Sequence, residues 1–162
     1  MRVLEVMTGK PAFCTWDTNL GAAVELLWNQ NCGILPIVDA EQRVVGVVTD
    51  RDVCIALGTR NRLPGEITVG EVASGVAFTC KVEDDVRVAM QTMAREYVRR
   101  LPVVGKDGKL AGILSMDDIV LHADDRMLGR TPEISSEHVV ETLKKLYRPQ
   151  ASQLAMSQRV TA

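Results

Sequence analysis

The chain spells out one pattern twice. Gly46-Val47-Val48-Thr49-Asp50-Arg51-Asp52 is answered by Gly112-Ile113-Leu114-Ser115-Met116-Asp117-Asp118. The same shift of 66 positions lays Glu71 on Glu5, Gly75 on Gly9, Cys80 on Cys14, Leu101-Pro102 on Leu35-Pro36 and Val104 on Val38. A gapless internal repeat means one supersecondary unit used twice. Each half of a 162-residue chain is too small to bury enough apolar surface alone, so one shared core in one fused module is expected. The matched positions include a hydroxyl and a carboxylate three residues apart at a strand-to-helix junction, so a candidate site is repeated along with the shape.

In the first repeat, Thr18 or Asn19 caps a helix whose apolar residues Leu20, Ala23, Val24, Leu27 and Trp28 share one face. Gly33 stops it. Residues 34–38 then read as a buried strand, with Pro36 near its entrance or on an edge, where a missing N–H is tolerated. After a turn at 39–43 comes a strand over 44–48, and Thr49 caps a helix from Asp50 to about Leu57. In the second repeat, Glu83-Asp84-Asp85 opens a helix carrying Val86, Ala89, Met90, Met93, Ala94 and Tyr97. Strands over 101–104 and 110–114 join around Asp107-Gly108, a two-residue hairpin signal, and Ser115 caps the last helix of the repeat. An extended segment precedes each first helix, 11–15 and 76–81.

The fold class is therefore mixed α/β (α+β): extended strand, helix, strand, strand, helix, twice. A breaker-rich stretch over 58–65 puts the boundary near Gly65, giving units at 1–65 and 66–127. A helical extension follows at 128–149. There Ser135-Ser136 caps an amphipathic helix from Glu137 to about Tyr147, with Val139, Val140, Leu143, Leu146 and Tyr147 on one face and Pro149 at its end. That face folds back on the module or packs on a partner subunit. Residues 150–162 are a polar tail, expected to be mobile.

Composition excludes several functions. A net charge of −2 gives no bulk attraction to nucleic acid or anionic membranes, and no apolar run approaches the roughly 18 residues that span a bilayer. The opening residues do not read as a secretory signal, so a cytoplasmic protein is expected. Cys14, Cys32, Cys54 and Cys80 lack C-x-x-C spacing and read as small buried hydrophobes. Catalysis is not expected: there is no nucleophile–base pairing and no G-x-x-x-x-G-K-[ST]. His122-Ala123-Asp124-Asp125 surrounds a helix end and is not favoured as a metal site.

With the Leu-Pro strands and the doubled G-h-h-[T/S]-x-x-D in register, residues 3–125 closely resemble a tandem cystathionine-β-synthase (CBS) domain pair, or Bateman module. The resemblance implies a pseudo-twofold axis between the repeats and adenosine-nucleotide contacts at the motif positions. The purine would lie between the extended segment and the Pro-containing strand. That implicates Phe13, Cys14, Thr15, Ile34 and Pro36 in one pocket and Phe78, Thr79, Cys80, Arg100 and Pro102 in the other. It also implies a flat homodimer formed through the helices.

Chemistry gives the motif a role independent of the family. Thr49 or Ser115 can turn its hydroxyl, with the free N–H groups of the first helical turn, toward a phosphate. Asp52 or Asp118 can accept hydrogen bonds from ribose hydroxyls. Helix capping and the helix dipole account for the same residues without any ligand. Two readings therefore stand: a regulatory nucleotide sensor that signals through a homodimer to an unknown effector, or a ligand-free CBS interaction module regulating a separate enzyme or transporter.

The two sites also differ in charge. Arg51 in the first motif is replaced by Asp117 in the second. The resemblance brings Arg99 and Arg100 toward the Asp52 site, whereas Gly33 and Ile34 bring no charge to the Asp118 site. A phosphorylated ligand such as AMP, ADP or ATP is expected to prefer the Asp52 pocket. The Asp118 pocket is then empty, weak or suited to a less anionic ligand such as S-adenosylmethionine.

Overall fold

The computed structural model of the chain describes residues 1–73, 75–123 and 133–147. In order, its elements are β1 (Thr8–Gly9), α1 (Leu20–Asn29), β2 (Ile34–Val38), β3 (Val44–Thr49), α2 (Asp50–Thr59), β4 (Cys80–Lys81), α3 (Val86–Glu96), β5 (Arg100–Val104), β6 (Leu110–Ser115), α4 (Met116–Leu121) and α5 (Ser136–Leu146). Single helical turns at Val3–Glu5 and Val69–Glu71 open the two repeats.

Local chemistry explains the element boundaries. Asn19, not Thr18, caps α1: its side chain accepts from Ala22 N at 2.9 Å, while the Thr18 hydroxyl accepts from Thr15 N at 3.0 Å. Asp85 caps α3 by accepting from Arg87 N at 2.8 Å. Pro36 lies at the middle of β2 opposite Val47, and its carbonyl turns away from β3 to accept from Cys14 N at 2.9 Å. Its missing N–H thus falls on the same flank, toward the Cys14 segment, and removes no bond from the β2–β3 ladder. The second hairpin turns through residues 105–109, not two residues. Gly105 N donates to Lys109 O at 2.9 Å, and Gly108 takes φ +77°, which glycine adopts freely.

The repeats are joined by exchange of their leading segments. Val3 N donates to Asp84 O at 2.8 Å, Leu4 N to Val82 O at 3.1 Å, and Val86 N to Met1 O at 3.1 Å. Shifted by one repeat, the same bonds recur: Val69 N to Thr18 O at 2.7 Å, Gly70 N to Trp16 O at 2.9 Å, and Leu20 N to Ile67 O at 2.8 Å. β1 extends this exchange by pairing antiparallel with β6, giving a four-stranded sheet in the order β1-β6-β5-β4, while β2 and β3 form a separate two-stranded sheet.

The single shared core expected above is therefore replaced by two, each completed by the other repeat. Val3 and Val6 are buried with Val86, Met93, Leu101 and Ile119, whereas Ile67 and Val69 are buried with Leu20, Leu35, Ile37 and Val48. A cut near Gly65 separates the sequence repeats but not the packed units. At about 1.5–3 kcal/mol for each fully buried aliphatic side chain, the exchange is a substantial share of what holds the halves together.

Helix α5 folds back on its own chain, against α3 and α4. Ser135 caps it by accepting from His138 N at 3.3 Å. Ile134 and Val139 are buried in the second core, with Leu143 and Leu146 packed on its rim, while Val140 and Tyr147 stay exposed. The rest of the proposed extension and the tail over 150–162 lie outside the described residues.

Candidate functional site

The strand-to-helix junction of the first repeat is built as a closed capping box. Asp52 Oδ2 accepts from Thr49 N at 2.9 Å and from the Thr49 hydroxyl at 2.6 Å, and Thr49 Oγ1 accepts from Asp52 N at 3.3 Å. Asp50 N and Arg51 N are also engaged, by Gly33 O at 3.4 Å and Asp50 Oδ1 at 2.7 Å. This corrects the expectation that the Thr49 hydroxyl and the first-turn N–H groups face a phosphate, because each already has a partner at home. Among the described residues, Asp52 Oδ1 has no hydrogen-bond partner.

Around that carboxylate lies a cavity of about 360 Å³, inside the range of ligand sites. Ile34, Thr49, Arg51 and Asp52 line it from the first repeat; Phe78, Arg99, Arg100 and Pro102 line it from the second. The Thr49–Asp52 motif of one repeat thus faces the aromatic and proline wall of the other. Val47, Val76 and Val98 complete the apolar side, with Tyr97 beside them; the sequence reading missed these four. Tyr97 is the left-handed cap of α3 (φ 56°), which turns the chain so that Arg99 and Arg100 reach the cavity.

The cavity is cationic. Among the described residues, Arg51, Arg99 and Arg100 enter no ion pair; Arg99 Nη1 lies 3.5 Å from the neutral Tyr147 hydroxyl. Three guanidinium groups outside any ion pair among the described residues, set against Asp50 and Asp52, leave a surplus positive charge at the cavity that attracts an anion.

The other nominated residues lie elsewhere. Phe13 and Thr15 are exposed outside the cavity, Thr79 is half-buried outside it, and Pro36 is buried inside β2. Cys14 and Cys80 are not pocket walls: their side chains belong to the two cores, and burial pushes the thiols up to about 11 and about 12. Thiol reagents at pH 8 should therefore modify exposed Cys54 in the native protein, and Cys14 and Cys80 only after unfolding, which mass mapping of the labelled peptides checks. The folded state holds these two protons above the ordinary thiol value of 9.0. Their contribution to stability is complete below that pH and is lost as pH climbs toward 11 to 12.

Ser115 and Asp118 repeat the capping box, with Asp118 Oδ2 accepting from Ser115 N at 2.8 Å and Ser115 Oγ at 2.6 Å. Here the remaining oxygen is also occupied. Thr8 of the exchanged leader donates to Asp118 Oδ1 at 3.2 Å. Asp117 replaces Arg51, and Ala12 stands at the repeat position of Phe78. At the end of α4, His122 Nδ1 lies 2.7 Å from Asp118 O; Asp124 and Asp125 are outside the described residues.

Known proteins fix the family. The family model for the CBS domain matches residues 3–59 and 69–125, once per repeat. The chain belongs to the CBS domain family. The CBS domain-containing protein YhcV of Bacillus subtilis is 31% identical over 121 residues, covering 74% of this chain and 84% of YhcV. An uncharacterized protein of Methanopyrus kandleri is 29% identical over 119 residues, 72% of this CBS pair but only 57% of that protein. Among solved structures, a CBS domain protein from Pyrobaculum aerophilum complexed with AMP superposes with a TM-score of 0.67 at 27% identity, covering 74% of this chain and 90% of that one. Within the described residues, no helix of this CBS pair is long and apolar enough to cross a membrane.

Proposed function

We propose that this CBS pair is a regulatory, non-catalytic module that binds an adenosine nucleotide such as AMP, ADP or ATP in the Asp52 cavity and transmits ligand state through a homodimer to a separate effector in the cytoplasm. The observation that carries the reading is the cavity's composition: the Asp52 carboxylate, an aromatic wall at Phe78, and three arginines that enter no ion pair among the described residues converge from two repeats on one volume. The carboxylate suits ribose hydroxyls, the Phe78 face suits a purine, and the arginines suit a phosphate. AMP in the Pyrobaculum aerophilum relative supports the same ligand class. Binding shifts the assembly only in so far as the nucleotide prefers one arrangement of the dimer over another.

A thermal-shift panel of AMP, ADP, ATP and adenosine tests this directly. A ligand at about 100 times its dissociation constant stabilises by about 2.7 kcal/mol, and the phosphorylated ligands should exceed adenosine. No shift from any of the four would leave the ligand-free interaction module as the better account.

A further inference from the structure

Helix α5 lies beyond the residues that the CBS family model matches, which end at 125. Its last turn nevertheless reaches the nucleotide cavity. Arg99, which lines the cavity, donates from Nη1 to the Tyr147 hydroxyl at 3.5 Å. Tyr97, the left-handed cap of α3, lines the cavity and also a second recess of about 330 Å³, which Lys145 of α5 lines with it. The body of α5 is anchored: Val139, and Ile134 just before the helix, are buried in the second core, and the buried Thr142 donates its hydroxyl to His138 O at 2.9 Å. The helix is therefore a fixed mount, and Tyr147 is the point from which it holds a cavity arginine. The first repeat has no counterpart, because Gly33 stands at the position matched to Arg99.

Arg99 is exposed, and an exposed arginine must give up many rotamers to grip a phosphate. A partner that already holds its guanidinium removes part of that cost. Tyr147 suits the task because its hydroxyl is neutral: it accepts from one N–H and leaves the positive charge and the other donors of Arg99 available. A carboxylate in its place would cancel the charge. We propose that Tyr147 is a positioning residue for the phosphate of the nucleotide, acting through Arg99, so that α5 is a working part of the site. This rests on the nucleotide reading above and assigns part of its phosphate selectivity to the appended helix. By linkage, bound phosphate in turn holds the last turn of α5 on the module.

Calorimetry with AMP and with adenosine on the full chain tests the assignment. Tyr147→Phe keeps the ring and removes only the hydroxyl of an exposed side chain, so the far-UV spectrum should not change. It should weaken AMP binding about three- to tenfold, the value of one modest hydrogen bond, and leave adenosine within about twofold. With Arg99→Ala already in place, Tyr147→Phe should cost AMP nothing further, because the two side chains act as a unit. Hydrogen exchange supplies the reciprocal measurement: the amides of residues 143–147 should be protected more by AMP than by adenosine. A Tyr147→Phe chain that keeps wild-type AMP affinity, that loses AMP and adenosine equally, or that loses as much AMP affinity without Arg99 as with it overturns the role of Tyr147 alone. Equal protection of the last turn by both ligands overturns it as well. A wild-type chain that binds neither ligand overturns the nucleotide reading, and this one with it.

Discussion

Asp52→Ala is expected to weaken AMP binding by about 10- to 100-fold, the value of one or two charge-assisted hydrogen bonds, while Asp118→Ala leaves it within about twofold. The difference comes from occupancy, not from motif. Both carboxylates give one oxygen to their own capping hydroxyl, but Asp52 lines the cavity with an Oδ1 that has no partner among the described residues, whereas Asp118 Oδ1 receives the Thr8 hydroxyl. Both substitutions break a capping box and should cost about 1 kcal/mol of stability, so urea unfolding run beside calorimetry separates folding loss from binding loss. Equal loss of AMP affinity from the two changes would sink the assignment of the ligand to the Asp52 cavity.

How much of this could be read beforehand depends on whether the signal is local. Caps, helix faces and hairpins are set by residues a few positions apart, so Thr49 and Ser115 were legible as caps, the start of α3 as the acidic stretch Glu83-Asp84-Asp85, and so was the doubled CBS layout. The exchange of leaders was not. Val3 reaching Asp84 and Val69 reaching Thr18 are related by the same shift as the repeat itself, and a gapless repeat has the same letters whether each leader serves its own core or the other. The clasp of Thr8 on Asp118 depends on that exchange and was hidden with it. Phe13 lies outside the cavity, against expectation, for a related reason. Phe13 and Phe78 do not occupy matched positions, since Phe78 aligns with Ala12 and Phe13 with Thr79, so the two aromatics need not line equivalent walls. The cysteines that do match, Cys14 and Cys80, are matched because both cores need them.

Gly112→Val is expected to remove about 3–6 kcal/mol of stability, the burial of Val3 and Val6 together. Gly112 pairs with Gly9 across the β1–β6 ladder, and a Cβ placed on it would lie 2.8 Å from Thr8 O and 2.7 Å from Met7 Sδ. The methionine can swing away, but the carbonyl belongs to the paired backbone, so the leader must lift. Lifting it uncovers Val3 and Val6 in the second core and frees Thr8 from Asp118. The first core keeps its own borrowed residues, Ile67 and Val69. Unfolding should therefore cease to be a single transition: Trp16 and Trp28 both lie in the first repeat, so tryptophan fluorescence should lag behind the far-UV signal, which reports both repeats. Gly58→Ala is the control, because nothing lies within 4 Å of the added Cβ and its helical site should gain about 0.5–1 kcal/mol. If Gly112→Val unfolds like the wild type, with coincident transitions, the leader is not a structural part of the second core.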